Sequence, residues 1–290
     1  MSRKRTSRWI FLSITYPEQE WPILLQKGII PFLESSHPTY LLAYLLHFGK
    51  DRGDHIGISC EVRLEEYRSF VESAEGYFSA FLRNFPGKIS KKDDSWRSGS
   101  LFMNFPANLV CHSLHKFLPA IEDPINVEYI RVWHESSVHL KNVFRDEPFD
   151  KEDMFTIVLY LNLSLLLSFK KAAENVMERR ASLAEAILNI REYKELFYES
   201  ELSLREVLQD CINITNGVIR KDLETIAAWF HVFYHFLKPM DRTIELQSVV
   251  LEDMLICIRR QLNTSCDGRS LIDYFIDRML QPAFSLDTVS

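Results

Sequence analysis

The sequence is poor in the features that most readily announce a function. Its five cysteines, Cys60, Cys111, Cys211, Cys257 and Cys266, are scattered without CxxC spacing, which excludes a disulfide framework and a thiolate zinc site and points to reduced thiols in a cytoplasmic protein. No secretory signal opens the chain, because the apolar run in MSRKRTSRWIFLSITY is short and turns polar at Pro17-Glu18-Gln19-Glu20. Cations are in the minority, 34 Lys and Arg against 40 Asp and Glu for a formal charge of −6, so no general footprint for a nucleic-acid backbone is expected. The basic start, Arg3, Lys4, Arg5 and Arg8, reads as a solvated end. The longest apolar block, Met154 to Phe169, is broken by Thr156, Tyr160, Asn162 and Ser164, and it reads as a buried helix rather than a membrane span. GKDRGD, residues 49–54, contains glycines but lacks the Gly-x-x-x-x-Gly-Lys-Ser/Thr pattern of a phosphate loop.

What is present suits an ordinary globular protein: 290 residues, 47% hydrophobic and 12% aromatic, enough to bury one large core or two modest ones. RWIFLSITY is apolar and β-branched, EWPILLQKGIIPFLES is helical with Pro22 near its start, and TYLLAYLLHFG ends in a turn before HIGISCEV. RLEEYRSFVESAEGYFSAFLRNF sets Leu64, Tyr67, Phe70, Val71, Ala74, Phe78, Phe81 and Leu82 on one face of a helix that should pack on the sheet. PGKISKKDDSWR reads as an exposed loop, and GSLFMNFP and INVEYIRVWHE as further strands. From Ser137 onward the pattern is helical, with an exposed, highly charged helix over about 172–199. The expected class is α+β: an N-terminal antiparallel sheet of about four strands with covering helices, then a mostly α-helical C-terminal half. With no linker long enough to force a boundary, one domain over 1–290 is expected, sheet-rich over 8–135 and helical over 136–282.

Motifs that carry chemistry by themselves are few. His231 and His235 have the i, i+4 spacing that sets two imidazoles on one helix face, but no Glu follows the first and no third ligand is evident. Cys111 with His112 and His115 would suggest a thiol and a base, yet neighbours on one element point in different directions. In HIGISCEV the positions that share a face, His55, Gly57 and Ser59, are polar or small.

The order of several segments resembles a known family. RWIFLSITY with Trp9, the helix ending IIPFLE, the strand YLLAYLLHFGKD and then HIGISCEV look like the start of the thiopeptide-type bacteriocin biosynthesis family, which is also the C-terminal elimination domain of lantibiotic dehydratases. VEYIRVWHESSVHLKNVF stands where that family has Glu-x-x-Arg-Tyr-Gly, SVVLEDMLICIRRQL where it has a helix with His-Met-x-x-Asn-Arg-Leu, and the ending SLIDYFIDRML is also similar. The chain therefore resembles a divergent, stand-alone member.

The departures bear on chemistry. The resemblance implies a His-Leu-Arg-Leu-Arg strand whose arginines bind the glutamyl ester of a precursor peptide; here His55 is matched, but the arginines fall at Gly57 and Ser59, and the late His-Met becomes Asp253-Met254. A carboxylate leaving group needs cationic partners. The resemblance thus implies a tailoring enzyme of ribosomally synthesised peptides, preferably a formal [4+2] cyclisation of two dehydroalanines to a pyridine-type ring with loss of the leader. The alternatives are the glutamate-elimination component of a split dehydratase and a non-catalytic precursor-peptide scaffold. Arg131, His134 and Asp253 are the expected catalytic residues and His55 and Trp133 the expected substrate contacts. Beside these stand plainer readings: Asp253 with Glu252 as a solvated face, His134 as a helix-entry residue, and His55 as a strand-end histidine satisfied by its loop. Expected partners are the precursor peptide, leader and modified core, and a glutamylating dehydratase; no cofactor, metal, nucleic acid or membrane is expected.

Overall fold

The computed structural model describes residues 6–36, 41–50, 53–88, 106–114, 124–145, 149–184, 190–240, 243–262 and 266–285. The chain forms two compact units, Met1–Asp150 and Lys151–Ser290.

The first unit is built on strands β1 (Ser7–Thr15), β2 (Leu41–Gly49), β3 (His55–Arg63) and β4 (Leu109–Leu114). They form one antiparallel sheet in the order β2-β3-β1-β4. Alternation sends Ile10, Leu12, Ile14, Tyr44, Leu46, Phe48, Ile56, Ile58, Cys60 and Val62 to one face, and all are buried. Helix α3 (Tyr67–Asn84) contributes Phe70, Ala74, Phe78 and Phe81 to this core, where Phe32 packs against Phe78 with ring centroids 4.8 Å apart. The connection after β1 runs through a turn of α1 (Trp21–Ile23), a π-helical stretch over Leu24–Ile29 and α2 (Ile30–Ser36). Pro31 explains the widening: it has no N–H to donate and its ring would crowd the carbonyl four residues back, so the preceding turn opens and the Ile30 N–H reaches Leu25 instead. The Gly28 carbonyl receives the Tyr77 hydroxyl, 3.0 Å away.

Two of the expected strands are corrected or lie elsewhere. INVEYIRVWHE is not a strand: residues 124–143 form helix α4 (Pro124–Val143). Its buried residues Ile130, Trp133, Ser137 and Leu140, flanked by the buried Val132 and Ser136, follow a three- and four-residue spacing that becomes visible only when the window extends past Glu135. The β-branched residues at its start had favoured a strand. GSLFMNFP lies outside the described residues apart from its last position, and the fourth strand is instead Leu109–Leu114.

The second unit is helical: α5 (Lys151–Ser168), α6 (Lys170–Ala184), α7 (Ile190–Glu199), α8 (Glu201–Thr215), α9 (Glu224–Leu237), α10 (Ile244–Gln261) and α11 (Cys266–Ser285). The expected α+β class is therefore observed, with the sheet at the N-terminal end. α5 is apolar on all sides and buried from Ile157 to Leu166, as befits the central helix of a bundle. Its Tyr160 hydroxyl donates to the buried Asp210 carboxylate at 3.0 Å, and Arg220 lies 3.3 Å from the other oxygen of that group. Burial, and then this hydrogen bond, push the Tyr160 hydroxyl well above its ordinary pKa. Among the described residues no single helix is long and apolar enough to cross a membrane; α5 with the start of α6 meets the length and composition only as a pair bent by 115°.

Candidate functional site

The second face of the sheet is chemically unlike the first. It carries Trp9, Phe11, Ser13 and Thr15 from β1, Leu45, His47 and Gly49 from β2, and His55, Gly57, Ser59 and Glu61 from β3. His55 and Ser59 are buried, and His47 and Phe11 are half-buried.

Register explains how two imidazoles fit here. His47 lies directly across from Gly57, and Gly49 directly across from His55, so the two rungs on either side of the Phe48–Ile56 pair hold one histidine and one glycine in opposite order. Each ring lies over the glycine of its own rung. A Cβ at position 49 would sit 2.5 Å from His55 Cε1 and Nε2, and one at position 57 would sit 2.7 Å from Phe11 Cε2 and closer still to His47. The His47 ring stacks on Phe11 at 5.3 Å with planes 9° apart and meets His55 edge-on at 6.1 Å. The His55 Nδ1–H donates to the Gly53 carbonyl at 2.9 Å, which fixes the ring with Nε2 on the side that overlies Gly49. The small residue at 57 is therefore a steric requirement of His47, a residue that the sequence reading did not single out. Its signal was available: two histidines and two glycines at mirrored positions flanking a hairpin.

The other expected residues are spread over different surroundings. α4 runs beside β2, the edge strand, and uses side chains to satisfy it. The Tyr44 N–H donates to His134 Nδ1 at 3.1 Å, with the Tyr44 carbonyl 3.0 Å from the same nitrogen, so either tautomer ties His134 to the strand. The Leu46 N–H donates to the Ser137 hydroxyl at 2.9 Å, and that hydroxyl donates to the Trp133 carbonyl at 2.8 Å. These bonds occupy groups that an open sheet edge would leave exposed. Arg131 and Trp133 do not share a face as a strand would have required. Two residues apart on a helix, they diverge: Trp133 is buried, whereas Arg131 is exposed and paired with Glu128 at 2.7 Å. Asp253 belongs to the second unit, on the exposed side of α10 with Leu246 and Val249.

The thiol of Cys111 also lies on the second sheet face, opposite Ser13, while His112 faces the other way and pairs with Glu75 at 2.6 Å. Burial and then the Glu75 charge raise the Cys111 pKa and so favour its thiol form, and His115 lies outside the described residues. His231 and His235 stack along α9 with centroids 5.7 Å apart, and among the described residues no group of three His, Cys, Asp or Glu converges as a metal site would require.

No protein-family model and no curated protein matches the sequence. Solved structures do match the fold. The solved structure of TbtD, the pyridine synthase from thiomuracin biosynthesis, aligns with a TM-score of 0.69 over 96% of this chain and 99% of its own, at 11% sequence identity. TsrL aligns with a TM-score of 0.64 over 97% of both chains at 11% identity. The tRNA-dependent lantibiotic dehydratase MibB from Microbispora sp. 107891 aligns with a TM-score of 0.56 at 10% identity; the alignment takes in 99% of this chain and 29% of that much longer one. The chain therefore shares its fold with these three solved structures.

Proposed function

We propose that the chain is a tailoring enzyme of ribosomal-peptide natural-product biosynthesis, and that it joins two dehydroalanines of a precursor peptide in a formal [4+2] cyclisation, with loss of water and the leader. The observation that carries this reading is the second sheet face, where a steric lock between His47 and Gly57 excludes the side chain that would bind a carboxylate leaving group. A fold shared with a pyridine synthase over 99% of that enzyme's length supports the same choice.

The proposed chemistry makes modest demands on the protein. Folding one peptide so that two alkenes meet replaces a bimolecular encounter by a near-attack arrangement, and effects of this kind reach several kcal/mol. A proton donor and acceptor then assist amide tautomerisation and the eliminations. His55, fixed by its Nδ1–H bond to the Gly53 carbonyl, serves as a substrate contact on this face. His134, held to the β2 backbone, acts as a positioning residue; Trp133 is buried on the same helix; and the exposed Arg131 contacts the peptide. A dehydratase that supplies the dehydroalanines is the partner this reaction requires.

The test is to incubate the purified protein with a dehydroalanine-bearing precursor and, separately, with its glutamylated form, and to follow both by mass spectrometry. Ring formation with leader release supports the proposal. Loss of glutamate alone would replace it by the elimination reading, and binding of either peptide without conversion would replace it by the scaffold reading.

A further inference from the structure

The sheet treats its two edges differently. Along β2, side chains of α4 hold the outward backbone of Tyr44 and Leu46. The opposite edge is β4. Register decides which of its backbone groups point outward. The Tyr16 N–H donates to the Asp54 carbonyl at 2.9 Å and the Leu64 N–H to the Thr6 carbonyl at 3.0 Å, one at each end of an unbroken β1–β3 ladder, so the even-numbered residues of β1 bond to β3. The odd-numbered Thr15, Ser13 and Phe11 therefore bond to β4, where they face Leu109, Cys111 and Ser113. Val110 and His112 are left with their N–H and C=O groups turned away from the sheet, and among the described residues these backbone groups form no hydrogen bond.

The same two residues send their side chains to the face that α3 covers, and a groove of about 500 Å³ lies between strand and helix there. Leu82 and Val110 give it an apolar lining, and Ser79 and Arg83 make the rest of its helical wall. Both ends are fixed. At one, His112 pairs with Glu75 at 2.6 Å; at the other, the Asn108 side chain accepts from the Gly87 N–H at 2.6 Å and donates to the Gly87 carbonyl at 3.1 Å. Glu75 and Arg83 are roughly 12 Å apart along the helix axis. Asn108 and His112 are roughly 13 Å apart along the strand, so the groove takes about four residues of extended chain. Among the described residues Arg83 forms no ion pair, and it stands at the Asn108 end.

A strand added to this edge would read these features in turn. The residue directly across from Val110 shares its face and so enters the groove, the next points away, and the one after that returns to the groove. Antiparallel pairing sets the later residue at the Asn108 end, where a guanidinium favours a carboxylate. We propose that the α3–β4 groove binds an extended peptide as a fifth, antiparallel strand, with an aliphatic side chain beside Val110 and Leu82 and an acidic side chain, two residues later, paired with Arg83. Binding here is independent of the cyclisation proposed above and requires no turnover.

The probe is the blocked peptide acetyl-Thr-Thr-Thr-Val-Thr-Asp-amide. Hydrogen exchange read by NMR should show the Val110 and His112 amides exchanging freely in the protein alone and protected when the probe is present. By titration calorimetry, changing the Asp of the probe to Lys should weaken binding at least ~10-fold, and Arg83→Glu should reverse the order of the two probes. Methylating the Val nitrogen of the probe removes the N–H that would reach the Val110 carbonyl and should also weaken binding at least ~10-fold. Val110→Pro should abolish binding while the sheet persists, because an edge strand accepts proline where its N–H faces outward. Thermal melts establish folding, and Arg83→Glu, at an exposed position, keeps the test open should the proline variant fail to fold. Protection of both amides in the free monomer would show that the chain covers its own edge, and protection in a dimer without the probe, seen by light scattering, would give the edge to a second copy. Either result overturns the proposal. So does any of three others: no protection with the probe in large excess, a methylated probe that binds within about twofold of the parent, or a probe order unchanged by Arg83→Glu.

Discussion

Replacing Gly57 by Ala is a one-carbon perturbation whose sign the structure sets. In an ordinary strand interior the change is favourable by roughly 0.5–1 kcal/mol, because alanine loses less backbone entropy on folding. Here the added Cβ would meet Phe11 Cε2 at 2.7 Å and the His47 ring more closely. Overpacking of this kind costs about 1–3 kcal/mol, and swinging His47 aside to relieve it gives up the stack on Phe11, itself about 0.5–1.5 kcal/mol. The net expectation is a loss of about 1–2 kcal/mol. In a His47→Ala background the nearer obstruction is gone and the Phe11 ring, no longer held in the stack, has room to give way, so the same Gly57→Ala change should become close to neutral. Urea unfolding of the four proteins of this cycle, followed by fluorescence and by hydrogen exchange of β2 and β3 amides, measures the coupling, expected at about 2 kcal/mol. A Gly57→Ala cost that is the same in both backgrounds would refute the packing argument and with it the explanation of why position 57 is small.

Ser137→Ala should leave the Leu46 N–H buried without its acceptor, costing about 1–3 kcal/mol and speeding exchange of that one amide far more than its neighbours. Tyr160→Phe removes a donor from the buried Asp210 carboxylate and should destabilise the helical unit by a similar amount, seen as a shifted urea midpoint with an unchanged slope. Burial lowers the pKa of His139 despite the opposing charge of Glu135, and burial and then the charge of His235 lower that of His231. The unfolded chain therefore binds protons that the native state resists, and stability should fall as pH drops below about 6.5, with no contribution above it; the slope between pH 7.5 and 5.5 should flatten in a His139→Gln, His231→Gln double variant. Arg131→Ala should reduce turnover of the dehydroalanine peptide by about 10-fold, roughly 1.4 kcal/mol, and an unchanged rate would take Arg131 out of the peptide-binding set.

Much of this architecture was legible in the chain. RWIFLSITY and HIGISCEV alternate cleanly because one sheet face is a dry core, and that same alternation placed His55, Gly57 and Ser59 together before any register was known. INVEYIRVWHE misled because a short β-branched window carries both periods, and only the continuation to Leu140 decides for a helix. The error mattered for the site: as a strand it would have set Arg131 beside Trp133, and as a helix it separates them. His47 escaped notice for a different reason. Its partner Gly57 is distant from it in sequence terms by ten positions but opposite it in space, and cross-strand pairing depends on hairpin register, which composition does not encode. The absence of large side chains at 49 and 57 is likewise a property of the neighbours, and so it reads as mere smallness until the strands are paired.

The cyclisation itself offers the most direct measurement. A dehydroalanine-bearing precursor is mixed with the wild-type protein and with a His47→Leu, His55→Leu variant, while near-ultraviolet absorbance and intact mass are recorded together. The account predicts that the wild type yields a product lighter by water and the leader, with absorbance of a new aromatic ring rising at the same rate, and that the variant yields neither while remaining folded. Unchanged mass and absorbance with the wild-type protein, alongside loss of glutamate from the glutamylated precursor under the same conditions, would contradict it.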